Sequence, residues 1–332
     1  MSIMVSNPLV SVIIPLYNKG PFISRAIDSV LAQTLEEFEL IVVGGNSTDG
    51  GESIVLDYTD SRIRFVQETG CGVSAARNQG VSIARADIVS FLDADDVWMP
   101  DFLNTIMSLK QKWPDAGMYS TAWISHYPDG REIPSKCYGI SDNWEGFIPS
   151  VFRCAAIDWE FPGRTSTIAV PKHVFNSVGG FREDSVLGED LDLWGKIALF
   201  YDNVHSSRPM AYYMHDDEMA TTRNLSLLIL DKFPFQKTVD ELLEKGVIDS
   251  ESIGGDLELY LERLKIEVAK GHIVIKDYNK AREILKSIHR REIKRIKYMV
   301  LLRSYYPVFL LPVGRLILTK LKHILNLNDH IF

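Results

Sequence analysis

No run of roughly 18 or more uncharged apolar residues, the length that spanning a bilayer requires, occurs in the chain, so a membrane-spanning helix is not expected. The longest candidate, residues 304–314, is interrupted by Pro307 and Pro312. Cysteine is scarce, with three in 332 residues (Cys71, Cys137, Cys154) and no CxxC spacing. That excludes a disulfide framework, argues against a zinc site and suits a reducing cytosol. Residues 1–8 have neither a basic segment nor an apolar run, so no secretory signal is expected and the location read from the sequence is cytoplasmic. Internal repeats and low-complexity tracts are missing too. Hydrophobic residues make up 46% and charged residues 24%, a balance that excludes disorder as the default and indicates a well-cored globular chain.

Charge is unevenly spread. The net charge is −8, yet residues 286–323 hold ten Lys/Arg against one acid, Glu292. An acidic body with a basic, leucine-rich tail does not fit nucleic-acid binding. It fits an enzyme leaning on an anionic membrane, here through residues 286–325, on the inner face of the cytoplasmic membrane. Tyr298, Leu301, Leu302, Tyr305, Phe309, Leu316, Leu318, Leu321 and Leu325 would be the apolar anchors. A helical cap packed on the catalytic domain or on a second subunit explains the same residues, and a homo-oligomer is compatible with the sequence.

The first 120 residues alternate short β-branched runs with helical periodicity. Strands are expected at 10–15, 38–43, 63–66, 88–92 and 118–124. Helices are expected on the face Phe22, Ala26, Ile27, Val30 and Leu31, near 54–58, over 74–84 and from Pro100. A further strand is expected at 165–170, a short helix at 171–178 and another from Glu189, where Leu187, Leu191, Trp194 and Ala198 share a face. From about 218 the pattern is helical. Such βαβ alternation implies an α/β fold with a mostly parallel central sheet covered by helices, plus a C-terminal helical region. The domains are placed at 1–217, with a nucleotide-binding half at about 8–124 and an acceptor half at about 125–217, and at 218–332.

Ligands of open parallel sheets bind outside the carboxyl ends of the strands, and the polar residues collect there. Pro15, Tyr17 and Asn18 follow the first strand, Asn46 to Asp49 the second, and Asp93, Asp95 and Asp96 the fourth. Three carboxylates at the mouth of a buried strand repel one another unless a cation intervenes. With no Cys or His beside them they favour Mg²⁺ or Mn²⁺ shared with substrate phosphates. Alternatively, Asp95 and Asp96 cap the helix entered at Pro100.

Four segments come in a fixed order: Val12-Ile13-Ile14-Pro15-Leu16-Tyr17-Asn18, Asn46-Ser47-Thr48-Asp49-Gly50, Ala76-Arg77-Asn78-Gln79-Gly80 and Phe91-Leu92-Asp93-Ala94-Asp95-Asp96-Val97-Trp98. With Gly179-Gly180-Phe181 and Gly188-Glu189-Asp190-Leu191-Asp192-Leu193-Trp194, they resemble the family 2 glycosyltransferases, inverting enzymes with the GT-A fold of nucleotide-diphospho-sugar transferases. The resemblance covers about residues 8–217. It implies a nucleotide-sugar donor, chiefly a UDP-sugar, a divalent metal (Mn²⁺ or Mg²⁺), and an acceptor that is a growing glycan or lipid-linked saccharide. Pro15 and Tyr17 would line the base pocket together with Asn46 and Asp49, and Arg77 would approach the ribose or diphosphate. Asp93, with Ala94, would contact the ribose and donor sugar, and Asp95 would be the main metal ligand. Glu189 and Asp190 occupy the catalytic acidic pair, with Asp190 as base, and His215 resembles a histidine that reaches the metal.

Two positions depart from that pattern. Relatives carry Asp after the second strand, accepting from the base N–H, where this chain has Gly44-Gly45-Asn46. An arginine two residues before the histidine is Tyr213 here. A nucleotidyltransferase is the competing enzyme class, although Tyr17-Asn18-Lys19-Gly20 is a poor phosphate loop for it. A catalytically silent nucleotide-sugar-binding scaffold is the competing reading outside enzymes.

Overall fold

The computed structural model describes residues 7–215, 230–249, 251 and 253–305. The chain divides into two compact units, Met1–Arg223 and Asn224–Phe332.

The first unit opens with β1 (Val10–Leu16), α1 (Gly20–Leu31), β2 (Phe38–Gly44), α2 (Gly51–Leu56), β3 (Ile63–Gln67), α3 (Val73–Ile83) and β4 (Ile88–Phe91). These four strands are parallel in the order β3-β2-β1-β4. Alternation along β1 assigns its two faces. Val10, Val12, Ile14 and Leu16 join one core with Ile23, Ala26, Ile27 and Val30 of α1. On the opposite face Ile13 meets α3 so closely that a Cβ on Gly80 would lie 2.6 Å from Ile13 Cγ2. A glycine inside a helix is disfavoured by about 1 kcal/mol against alanine, and here close packing against β1 requires it. Pro15 lies beyond the last pairing with β4, where a missing N–H interrupts no ladder on that side.

The chain continues through β5 (Val97–Trp98), α4 (Phe102–Lys112), β6 (Met118–His126), β7 (Glu132–Pro134), β8 (Glu145–Phe147), α5 (Val151–Asp158), β9 (Ile168–Pro171), α6 (Lys172–Ser177), α7 (Glu189–Phe200) and β10 (Asn203–Met214). The sheet extends as β4-β9-β6-β10-β5, with β7 on β6 and β8 on β10. β9 is antiparallel to both its neighbours, while β6 and β10 are parallel. The sheet is therefore a parallel block of four strands followed by a mixed block.

Two expectations need correction. Residues 165–170 are not one strand: Thr165–Thr167 form a 3₁₀ turn and β9 begins at Ile168. The Thr167 hydroxyl accepts from Arg164 N at 2.9 Å and Thr167 N donates to Arg164 O at 2.7 Å, a local closure that competes with the ladder. The cysteines are also less scattered than their spacing suggests. Cys137 Sγ donates to Cys154 Sγ at 2.8 Å, and Cys154 Sγ donates to Tyr138 O. Both remain thiols.

The second unit contains α8 (Pro234–Glu244), α9 (Gly255–Val274), α10 (Tyr278–Lys286) and α11 (Lys294–Tyr305). Buried Glu262 of α9 accepts from the His289 and Arg290 amides, which ties the turn after α10 to α9. α11 buries Ile296, Met299 and Val300 and exposes Tyr298, Leu302 and Tyr305. No described helix is long and apolar enough to cross a membrane. The anchors Phe309, Leu316, Leu318, Leu321 and Leu325 lie outside the described residues.

Candidate active site

The sequence Arg77-Asn78-Gln79-Gly80 gives each residue of one helical turn a separate partner. Arg77, buried on α3, donates from Nη2 to Asp93 Oδ1 at 2.7 Å and from Nη1 to Glu189 Oε1 at 3.1 Å. Its guanidinium also lies over the Phe181 ring at 5.1 Å. Asn78 forms a closed pair with Phe181, accepting from its N and donating to its O, each at 2.9 Å. Gln79 accepts from Thr69 N and donates to Gln67 O. Phe181 packs edge-on against Phe91 of β4 and Trp194 of α7, at 5.2 and 5.7 Å. One turn of α3 thus fixes the end of β4, the start of α7 and the loop after β3.

The acidic loop after β4 is a tight turn, with Asp96 N donating to Asp93 O at 3.0 Å. Its three carboxylates stand in different surroundings. Asp93 is about one-third exposed and faces Arg77. Asp95 accepts from Lys19 Nζ at 2.6 Å, and burial together with Asp93 raises its pKa while Lys19 pulls it back. Asp96 is buried, accepts from Ser166 Oγ at 2.6 Å and from Met214 N at 3.1 Å, and burial followed by Asp93 and Asp95 drives its pKa well above the usual carboxylate range. Asp96 therefore does not cap the next helix; Asp101 occupies that place. Ala94 is buried between them.

Glu189 and Asp190 open α7 behind Gly188, whose φ of 79° is the left-handed conformation that favours glycine. Acids in a first helical turn are stabilised by the helix dipole. Burial, then Asp190, raises the Glu189 pKa to about 7 against the pull of Arg77. Asp190 is raised as well, chiefly by burial, with the Leu191 amide (2.7 Å to Oδ1), Arg77 and Arg164 acting in the opposite direction. Burial works against the charge of Arg77, but Asp93 and Glu189 outweigh it and keep the guanidinium protonated.

On the other side of the rim, Tyr17 is 62% exposed after β1. Asn46 is exposed and left-handed, with φ 62°. Asp49 is engaged by backbone: its Oδ2 accepts from Gly20 N at 2.6 Å and its Oδ1 from Gly51 N at 3.1 Å, joining the starts of α1 and α2. That use of both oxygens makes Asp49 a structural clamp. His215 stacks flat on Tyr127 at 4.2 Å and meets Tyr213 edge-on at 4.8 Å. The Met214 amide beside it belongs to the Asp96 cluster. Tyr213 and Trp123 lie under the Arg164 guanidinium at 4.1 and 5.1 Å. Among the described residues no three His, Cys, Asp or Glu side chains form a ready metal cage.

The sequence names Asp96 as one of the three acids but does not show that it is buried on Ser166 and Met214, and no role is read for the Ser166 hydroxyl. Ser166 Oγ accepts from Asp93 N at 3.1 Å and donates to Asp96, while its carbonyl accepts from Trp98 Nε1 at 2.6 Å. The available signal was a third acid followed by an apolar pair, Val97-Trp98, which draws that acid inward.

The model of the family described as "Glycosyl transferase family 2" matches residues 11–170. Over 91 residues the chain is 45% identical to the glycosyltransferase EpsJ of Bacillus subtilis, covering 27% of this chain and 26% of EpsJ. Over 112 residues it is 38% identical to WfgD of Escherichia coli, named as a UDP-Glc:alpha-D-GlcNAc-diphosphoundecaprenol beta-1,3-glucosyltransferase, covering 33% of this chain and 44% of WfgD. The matches thus span less than half the length of these two relatives. Staphylococcus aureus TarS residues 1–349, solved with UDP-GlcNAc, superposes with a TM-score of 0.65 at 16% identity, over 89% of this chain and 88% of that one. The fold is the GT-A fold.

Proposed function

We propose that this chain, which carries a glycosyl transferase family 2 domain at residues 11–170, transfers a sugar with inversion from a nucleotide-diphosphate donor to an acceptor hydroxyl. One observation carries the reading. Arg77 bridges Asp93, in the acidic loop, to Glu189, beside Asp190, and so unites the two halves of a transfer site in one buried ion network.

In this reading the base lies against Pro15, Tyr17 and Asn46, and Asp93, Ala94 and Arg77 face the ribose, diphosphate and donor sugar. Asp95, together with His215 just past the end of β10, would hold a divalent cation. The main ligand fits such an ion: Asp95 offers hard carboxylate oxygens, its pKa is raised by burial and then by Asp93, and it is already drawn to the Lys19 ammonium. Fewer than three protein ligands suit a Mg²⁺ or Mn²⁺ that shares its remaining coordination with phosphate and water. When bound, such an ion neutralises charge growing on the leaving diphosphate.

Glu189 is occupied by Arg77, which leaves Asp190 to act as base. Asp190 takes the proton of the acceptor hydroxyl as that oxygen attacks the anomeric carbon. The bond from that carbon to the phosphate oxygen breaks on the opposite face, and the nucleoside diphosphate departs. A pKa raised by burial makes Asp190 a stronger base near neutral pH than an exposed carboxylate. No enzyme-bound nucleophile is needed.

We assign the acceptor to the saccharide class, lipid-linked or growing. A cavity of about 320 Å³ lined by Trp123, Lys136, Tyr138, Asp158 and His205 combines aromatic faces with polar groups, as a sugar ring requires. The basic segment 286–325 supports work at an anionic membrane surface. A screen of nucleotide sugars for slow hydrolysis and transfer, with Mn²⁺ or with chelator, tests the whole reading. Metal-dependent consumption of one donor, lost in Asp190→Asn, is expected. Pyrophosphate release from a nucleoside triphosphate would point instead to nucleotidyl transfer, and donor binding without turnover to a scaffold.

A further inference from the structure

The ends of β2 and β3 hold a feature that the proposed chemistry leaves unused. β2 closes on Gly44, and Gly45 follows it with no side chain. A Cβ added at Gly45 would run into the side-chain amide of Gln67 and lie 3.4 Å from Glu68 Cβ. The space a side chain at position 45 would fill is therefore bordered by Gln67, which ends β3, and Glu68, which follows it. Glu68 N donates to Gly44 O at 2.9 Å, which locks the two strand ends together.

The Glu68 carboxylate is half-buried and receives the Gly72 amide from the start of α3. Its Oε1 is shielded from solvent and has no hydrogen-bond partner among the described residues. A buried acceptor without a donor is costly, and such groups in native structures mark a strained or a ligand-receiving position. Burial pushes the pKa of Glu68 up, with the Gly72 amide acting in the opposite direction.

Bases differ in what a carboxylate can find on their pairing edge. Uracil and guanine carry a ring N–H next to a carbonyl oxygen. Cytosine and adenine present a bare ring nitrogen, whose lone pair repels an acceptor. The Gln67 amide has two hydrogens for the neighbouring carbonyl. We propose that Glu68, assisted by Gln67, reads the donor's base, selecting nucleotides whose base bears a ring N–H and rejecting cytosine and adenine. This rests on the reading of the site as a nucleotide-sugar site with the base at Tyr17 and Asn46.

The test is calorimetric titration of the full chain, in Mn²⁺ at pH 8, with UDP, GDP, CDP and ADP. UDP or GDP is expected to bind about 10-fold or more tightly than CDP and ADP, the range that a hydrogen bond to a charged group supplies. Which of the two binds more tightly separates uracil from guanine as the source of the N–H. Glu68→Gln, whose amide can donate to a bare ring nitrogen, should bring the four affinities within about 3-fold of one another. Gln67→Ala, at an exposed position, should weaken UDP or GDP while leaving the preference over CDP. An unchanged ratio in Glu68→Gln, or tightest wild-type binding of CDP or ADP, overturns the assignment of Glu68 alone. Failure of all four to bind would remove the nucleotide-sugar reading itself and this inference with it.

Discussion

Arg77 and Glu189 lie 112 residues apart in the sequence and meet through an Nη1–Oε1 hydrogen bond of 3.1 Å. Because the same guanidinium holds Asp93, a single cation compensates acids from two separate elements. Removing one partner of a buried pair is worse than never having built it, because the remaining charges stay buried. Arg77→Met is therefore expected to lower stability by about 3–5 kcal/mol, read as a shift in the denaturant midpoint at constant slope. Arg77→Lys should recover part of that stability but not donor binding, because one ammonium does not reproduce the two fixed guanidinium nitrogens that hold Asp93 and Glu189. A Met variant as stable as the wild type would show that the network is not what holds the start of α7.

The division of labour between the two acids of α7 separates a base from a positioning residue. Asp190→Asn is expected to reduce kcat by about 10²–10⁴ while donor affinity stays near the wild-type value. Glu189→Gln keeps the shape that Arg77 contacts and should have the smaller effect on kcat. Steady-state rates measured beside donor titration distinguish the two. Equal kcat losses in both variants would mean that the pair acts as a unit.

Stability should fall with rising pH through a window set by Glu189. Its carboxyl is held at about 7 in the folded chain, first by burial and then by Asp190, against an ordinary value of 4.5. Between those values the native state keeps a proton that the unfolded chain has lost. This contribution is thus full below about pH 4.5 and gone above about pH 7. Asp190 and Asp96, also raised, act in the same direction. Relative to Glu189→Gln, the wild type is expected to lose on the order of 2 kcal/mol between pH 5 and pH 7.5. Parallel melting curves for the two proteins across that range would refute the assignment.

The parallel block of the sheet was legible because β1, β2 and β4 are apolar runs bounded by turn residues, and parallel strands buried on both faces read as such. β10 was not. Ser206, Ser207, Arg208 and Pro209 interrupt its pattern, and the strand absorbs them as register shifts against β6. β5 is two residues long and exists through its pairing with Ala211 and Tyr212, which no local signal announces. At the site, the acids could be read but not their surroundings. Asp49 reads as a ligand-facing acid, whereas the folded chain uses it to satisfy two amides at helix starts, a need that arises only once α1 and α2 pack side by side. Asp93, Asp95 and Asp96 look equivalent in the sequence, and only the approach of Ser166 and Met214 from distant segments makes the third a buried strut.

That strut gives the last expectation. Asp96 is 2% exposed, and the two hydrogen bonds it accepts come from Ser166 Oγ and Met214 N. Ser166 also accepts from the Asp93 amide, so a single hydroxyl joins the first and last acids of the turn. Ser166→Ala removes a donor from a buried carboxylate and an acceptor from a half-buried amide without creating a large cavity. The expected loss is about 1–3 kcal/mol of stability, measured by denaturant unfolding. Because the Asp93 amide would lose its acceptor and the turn its tie to Asp96, Mn²⁺-dependent donor binding should weaken even though Ser166 touches neither metal nor donor. Ser166→Thr, which keeps the hydroxyl, should restore binding more fully than stability, since the extra methyl must fit a site that is only 3% exposed. If the alanine variant lost stability but bound donor and Mn²⁺ as the wild type does, the turn would be held by Asp96 packing alone, and the Ser166 hydroxyl would have no part in positioning the carboxylates.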